Sequence, residues 1–179
     1  MKWSLELPEF DIHYESRKAL KAQVFADFLA EMTFSAEEKI EEWTIFVDGL
    51  SNSKGSGAGV IIENGKGIVV EISLGLSFPV TNNTAEYEAF LDGLRIAQDL
   101  RARKIKIFTG SQLVALQVTG DYQVREEHMQ QYVELVHDKM REFEAVEVIH
   151  VPLDQNTRVD ILSKLASTWT ASGNKTVIQ

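Results

Sequence analysis

The chain has 179 residues, and 44% of them are hydrophobic, which is enough to build one core. It contains no cysteine, which excludes a disulfide scaffold, a cysteine-ligated zinc site and a thiol nucleophile. The same absence predicts a reducing compartment, cytoplasmic or nuclear. Because no apolar run approaches the roughly 20 residues of a membrane-spanning helix, we expect no association with a membrane.

The charge balance limits how strongly the chain can bind nucleic acids. There are 18 basic and 27 acidic residues, for a net charge of −9 at pH 7. Residues 1–42 hold 5 of the basic and 10 of the acidic residues, so the N-terminal quarter is a distinct acidic unit. Because phosphate neutralisation drives most binding to nucleic acids, we expect such binding to be weak and to depend on a local basic patch.

The N-terminal unit is predicted to be an appendage over residues 1–34. Residues 3–14 alternate apolar and polar side chains around one proline, which is typical of an edge strand. Residues 19–32 have apolar side chains at helical spacing, and residues 35–42 form an acidic linker. We expect the apolar stripe of this helix to pack on the domain, on a second copy of the chain, or on a protein partner.

The remaining residues predict an α/β domain over residues 43–169. Strands are expected at 43–48, 59–63 and 67–74, with GSGAG (55–59) as a turn and Asn64-Gly65 as a hairpin. A phosphate-binding loop is the alternative for GSGAG, but a strand follows it instead of a helix. Helices and strands then alternate, which predicts a mixed five-stranded sheet flanked by helices, and residues 170–179 are expected to be a flexible tail. The expected elements are helix 81–100, strand 104–109, helix 112–118, helix 123–143, strand 146–151 and helix 157–169.

Three acidic residues stand where strands end or helices begin. Asp48 ends the first strand, Glu86 lies in the first turns of the first long helix, and Asp160 lies near the start of the last helix. Clustered carboxylates are the ligands that Mg²⁺ prefers, and metal-assisted phosphodiester hydrolysis uses such clusters. Each acid taken alone is also explained as a charge near a helix N-terminus, and periodicity does not show that the three converge.

Four motifs in order resemble the ribonuclease H family, in particular the archaeal-like domain of plant gypsy-type LTR retrotransposon polyproteins. The resemblance implies the ribonuclease H-like fold and Mg²⁺- or Mn²⁺-dependent cleavage of the RNA strand of RNA/DNA hybrids. The motifs are FVDGLSNSKGSGAGVIIE (46–63), TNNTAEYEAFLDGLRIA (81–97), SQLVALQVTGDYQV (111–124) and HVPLDQNTRVDILSKLAS (150–167).

The resemblance also implies the roles of the acids. Asp48 would bridge two metal ions, Glu86 would ligate the second, and Asp160 would hold the first with its attacking water. The family has one more catalytic Asp just before SQL, and this chain has Gly110 there. Losing that carboxylate weakens cation binding and leaves the charge of the leaving oxygen less neutralised, so the resemblance predicts weakly bound metal and impaired cleavage.

Further residues follow from the same resemblance. Contacts with nucleic acid are expected from Asn82, Asn83, Ser111, Gln112 and Asn156. The appendage at 1–34 resembles the tail of the ribonuclease H domain that precedes this one in such polyproteins.

The sequence is therefore compatible with two functions. One is a weakened endonuclease acting on RNA/DNA hybrids. The other is a catalytically dead ribonuclease H fold retained as a module that binds nucleic acid or protein, which the acidic balance and Gly110 favour.

Overall fold

A computed structural model describes residues 42–169 and 177–178. The predicted appendage and almost all of the acidic linker lie outside the described residues, as does most of the expected tail. The described elements are β1 (Glu42–Asn52), β2 (Gly55–Glu63), β3 (Val69–Leu76), α1 (Asn82–Asp99), β4 (Lys104–Thr109), α2 (Gln112–Thr119), α3 (Glu127–Met140), β5 (Ala145–His150), a 3₁₀ turn (Leu153–Gln155), α4 (Thr157–Trp169) and β6 (Val177–Ile178).

The strands form one mixed sheet in the order β5-β4-β1-β2-β3-β6. β1 pairs antiparallel with β2 and parallel with β4, and β5 extends the parallel side. This arrangement confirms the predicted mixed sheet of five strands with flanking helices. A sixth strand, Val177–Ile178, pairs antiparallel with β3 at the edge of the sheet. An unpaired sheet edge presents free amide and carbonyl groups that a short segment can satisfy.

The helices that carry Glu86 and Asp160, α1 and α4, pack on opposite faces of this sheet. Gly93 of α1 lies against Val47, Ile45 and Ile107, so α1 covers the buried face of β1 and β4. α4 packs across β2 and β3. The part of β1 around Asp48 and Gly49 therefore lies between the start of α1 on one side and the first turns of α4 on the other.

The GSGAG segment is a strand and not the predicted turn. The reversal between β1 and β2 occurs at residues 53–54, and all five residues of the segment belong to β2. A Cβ at Gly57 would lie 2.4 Å from the Ser163 carbonyl oxygen, and one at Gly59 would lie 2.4 Å from that of Val159. These glycines let the backbone of α4 approach the sheet.

The remaining boundaries lie within two residues of the predictions, except for those of β1 and α3. β1 was expected over 43–48 and continues to Asn52, so Asp48 lies inside the strand and does not end it. α3 differs at both ends. It was expected over 123–143 and spans 127–140. Val124 and Phe143, which extend the apolar periodicity, pack on the core from outside the helix. In the described part of the chain, no helix combines the length and the hydrophobicity that crossing a bilayer requires.

Candidate active site

Asp48 and Gly110 are neighbours at the point where the parallel pairing of β1 and β4 ends. The register of β1 and β4 pairs Val47 with Thr109, which brings the next residue of each strand together. Asp48 is only 5% exposed. A Cβ placed on Gly110 would lie 3.5 Å from Asp48 Oδ1. Position 110 is therefore beside Asp48 and carries no side chain.

From the first turns of α1, Glu86 reaches the part of β1 that follows Asp48. Thr81 caps this helix by accepting a hydrogen bond from the Thr84 amide. The Gly49 amide donates to Glu86 Oε2 at 3.1 Å. This bond holds the carboxyl group next to the residue that follows Asp48.

Asp160 comes from the first turn of α4, together with two residues that the sequence analysis did not select. The Lys164 ammonium donates to Asp160 Oδ2 at 2.5 Å, in an i to i+4 ion pair. The Ser163 hydroxyl donates to Asp48 Oδ2. The Asp-to-Lys spacing of four residues is a sequence signal that could have identified Lys164, whereas nothing in the pattern distinguishes Ser163 from a core serine.

The pKa values show that the three carboxyl groups share one electrostatic environment. Burial, more than the nearby Asp48 carboxylate, raises the pKa of Glu86 to about 8, and Asp160 adds to the shift. Burial also raises the pKa of Asp48, partly offset by the Ser163 hydrogen bond, while Asp160 raises it further. Sequence spacing alone did not show that the three carboxyl groups converge. Their effects on one another's pKa values support that convergence.

Glu86→Gln is expected to flatten the pH dependence of stability. Because the folded-state pKa lies above the ordinary value of 4.5, Glu86 stabilises the fold at low pH, and this contribution is lost as the pH rises toward 8. We expect the variant to exceed the unmodified chain by about 1–2 kcal/mol at pH 8, with no difference at pH 4.5. Urea unfolding in EDTA at both pH values measures this, and identical pH profiles for the two proteins would refute it.

The donor set does not fit a two-metal centre as it stands. Within residues 42–169 and 177–178, no group of three or more His, Cys, Asp or Glu side chains is arranged to hold a metal ion. Asp48 is hydrogen-bonded by Ser163, Asp160 is paired with Lys164, and position 110 supplies no ligand. The carboxyl groups predicted to bind metal are close enough to influence one another but are engaged by protein donors.

Asn156 is a positioning residue in this structure. It is 2% exposed, and its Nδ2 donates to the Val47 carbonyl at 3.2 Å, just before Asp48. A Cβ at Gly110 would lie 3.3 Å from the same Nδ2. Its burial argues against the direct contact with nucleic acid that the sequence predicts, because the side chain is held between the ends of β1 and β4.

The other four predicted contacts lie at or near the surface around the site. Asn82, Asn83 and Gln112 are exposed, and Ser111 is partly buried. Asn82 Oδ1 accepts from the Ser51 amide at 2.7 Å, and Ser111 caps α2 by accepting from the Val114 amide. Asn83 and Gln112, at the starts of α1 and α2, are therefore the residues best placed to contact a ligand.

The basic run at Arg101, Arg103, Lys104 and Lys106 lies at the opposite end of β4. Along the strand, Lys104 is about 20 Å and Lys106 about 13 Å from Gly110. Arg103 pairs with Glu144 at 3.6 Å, and Lys106 pairs with Glu42 at 3.2 Å. This run is too far from the carboxyl groups to hold a phosphate beside them.

Comparisons with known proteins agree with this geometry. A family model described as "Reverse transcriptase-like" matches residues 46–166, which is more than half of the chain. Ribonuclease HI of Halobacterium salinarum is 28% identical over 123 residues, which cover 68% of this chain and 62% of that protein's own length.

Three solved structures share the fold. RNase H1 from Halobacterium salinarum superposes with a TM-score of 0.66 at 27% identity, covering 70% of this chain and 96% of that one. The N-terminal RNase H domain of Rv2228c from Mycobacterium tuberculosis gives 0.69 at 25%, covering 74% and 97%. LC11-RNase H1, isolated from compost and solved in complex with an RNA/DNA hybrid, gives 0.62 at 26%, covering 69% and 94%. The chain therefore belongs to the reverse transcriptase-like family and is built on the ribonuclease H-like fold.

Proposed function

We propose that this domain binds RNA/DNA hybrids and that its capacity to cut the RNA strand is severely reduced. The observation that carries the proposal is Gly110: the position beside Asp48 faces the carboxyl cluster and bears no side chain. Hybrid binding is supported by LC11-RNase H1, which shares the fold and was solved with a hybrid. The Mg²⁺ or Mn²⁺ dependence of the family then predicts that a divalent cation binds here weakly.

The chain's own residues account for binding better than for cleavage. Asn83 and Gln112 start two helices that flank the site, where side-chain amides can donate to backbone phosphates. Ser163 donates to one oxygen of Asp48 and Lys164 to one oxygen of Asp160, so each carboxylate has one oxygen fewer to orient an attacking water. Glu86, with a pKa of about 8, is mostly protonated at pH 7.

The second candidate is a catalytically dead fold kept as an interaction module. The internal hydrogen bonds of the carboxyl groups favour it, because a protein donor already engages one oxygen of each group. The two candidates differ in one measurement. A weakened nuclease cuts hybrid slowly with Mn²⁺, whereas a dead fold binds hybrid or a protein without cutting at any concentration of metal.

Hybrid affinity is expected to be weak and to fall steeply with salt. The net charge of −9 opposes a polyanion, so binding depends on a few local contacts whose counterion release sets the salt slope. Fluorescence anisotropy of a labelled hybrid between 50 and 200 mM salt, in EDTA, measures this, and we expect affinity to fall by roughly tenfold or more. Affinity that is nearly independent of salt would mean that stacking or base contacts dominate.

A double variant and a matched control test whether Asn83 and Gln112 contact the hybrid. Asn83→Ala combined with Gln112→Ala is expected to lower hybrid affinity about three- to tenfold. Gln98→Ala is the control, because Gln98 is exposed near the other end of α1, about 22 Å along the helix from Asn83. Equal losses from both changes would place the binding surface elsewhere.

We also propose that the chain derives from a plant gypsy-type retrotransposon polyprotein and acts in the cytoplasm or nucleus. The motif order supports this origin, as does the description of the matching family. The proposed domain division is 1–34, 35–42, 43–169 and 170–179, with residues 1–34 as the surface for a second copy or a protein partner. The bound cation, the retroelement origin and the partner of residues 1–34 are proposed independently of one another.

A further inference from the structure

The first turns of α4 supply donors of their own to two of the three site carboxylates. Asp160, Ser163 and Lys164 are spaced i, i+3 and i+4, so they lie on one face of the helix. The Lys164 ammonium is 2.5 Å from Asp160 Oδ2, and the Ser163 hydroxyl donates to Asp48 Oδ2. Hydrogen bonds from within the protein thus occupy oxygens that a divalent cation would need.

We propose that the Lys164 ammonium is a built-in counter-ion of the carboxyl cluster, which competes with a divalent cation for Asp160. Lys164 places one positive charge against Asp160, and the same charge also acts on Asp48, so its attraction to these two carboxylates replaces part of what a bound cation contributes. A cation that binds Asp160 must displace this ammonium or accept its repulsion. The inference concerns cation binding alone and does not rest on the hybrid-binding proposal.

Lys164 is suited to this role because it can leave the site. Its side chain is 57% exposed, against 15% for Asp160, so the ammonium is largely in water while the carboxylate is mostly covered by protein. A flexible lysine is a point charge that can swing away without breaking the core. Arg158, on the same helix, pairs with Glu71 of β3 and gives a matched cation that is not bonded to the cluster.

The test uses the full chain and Mn²⁺ alone, with thermal unfolding and calorimetric titration as readouts. The variants are Lys164→Met, which keeps the length but removes the charge, Lys164→Arg, which keeps the charge, and Arg158→Met as the control. Lys164→Met is expected to bind Mn²⁺ about tenfold more tightly than the unmodified chain and to show a correspondingly larger rise of Tm with Mn²⁺. Lys164→Arg and Arg158→Met are expected to behave like the unmodified chain.

Three results would overturn the proposal. The first is equal Mn²⁺ affinity in Lys164→Met and the unmodified chain. The second is an equal gain from Arg158→Met, which would show a general charge effect instead of a local one. The third is tighter binding in Lys164→Arg. Lys164→Gln provides a second neutral side chain at this exposed position, so poor folding of one variant does not decide the outcome.

Discussion

Gly110→Asp is expected to raise the single-turnover rate of hybrid cleavage by about 100- to 1,000-fold, because each 1.36 kcal/mol of transition-state stabilisation is worth a factor of ten. The new carboxyl group would stand beside Asp48, at the end of β4, and complete the set of four acids that the motifs of the family imply. Added negative charge at this point also tightens Mg²⁺ binding. Cleavage of a labelled hybrid and a calorimetric Mg²⁺ titration measure the two effects.

The space at Gly110 admits the change with a small adjustment. The new Cβ would lie 3.5 Å from Asp48 Oδ1 and 3.3 Å from Asn156 Nδ2, so the Asn156 amide must shift by a few tenths of an ångström. Gly110→Asn is the matched control, since it has the same shape without the charge and should gain nothing. If Gly110→Asp folds, binds hybrid and gains no activity, the missing carboxylate is not what limits cleavage.

Gly49→Ala is expected to destabilise the domain by about 3 kcal/mol, the largest stability effect that the site offers. A Cβ at Gly49 would lie 2.1 Å from the Ala85 carbonyl carbon and 2.3 Å from the Glu86 amide nitrogen. These are backbone atoms of α1, so the helix must move away from β1, and Glu86 would move with it. Urea unfolding measures the loss.

The control for this change is Gly110→Ala, a glycine substitution at the same site. Its Cβ meets only the side chains of Asn156 and Asp48, so we expect a change within about 1 kcal/mol. Losses of the same size in both variants would mean that close packing of α1 on β1 is not the reason for glycine at position 49.

Most of the fold could be predicted because its elements obey local rules. The Asn64-Gly65 hairpin and the bounds of β4 and α4 follow from turn chemistry and periodicity. GSGAG could not be assigned this way. Its glycines are needed because α4 packs against β2, a long-range contact that leaves no trace in the spacing of neighbouring residues.

The candidate site, like the fold, could be predicted only in part from the sequence. Asp48, Glu86 and Asp160 were selected by resemblance, and the geometry brings them into one electrostatic environment. Their donors were not selected, because pairing of Ser163 with Asp48 depends on how α4 crosses the sheet. The burial of Asn156 likewise follows from the meeting of strand ends, which only the register of β1 and β4 reveals.

The most direct test of the account measures binding and cleavage of one labelled RNA/DNA hybrid in the same samples, with the unmodified chain and Gly110→Asp side by side. Saturating protein, Mg²⁺ and then Mn²⁺, and single-turnover conditions separate binding from chemistry. Both proteins are expected to bind the hybrid. The unmodified chain is expected to cut the RNA strand at least about 100-fold more slowly than Gly110→Asp does. Equal cleavage rates for the two proteins, with the hybrid equally bound, would contradict the account.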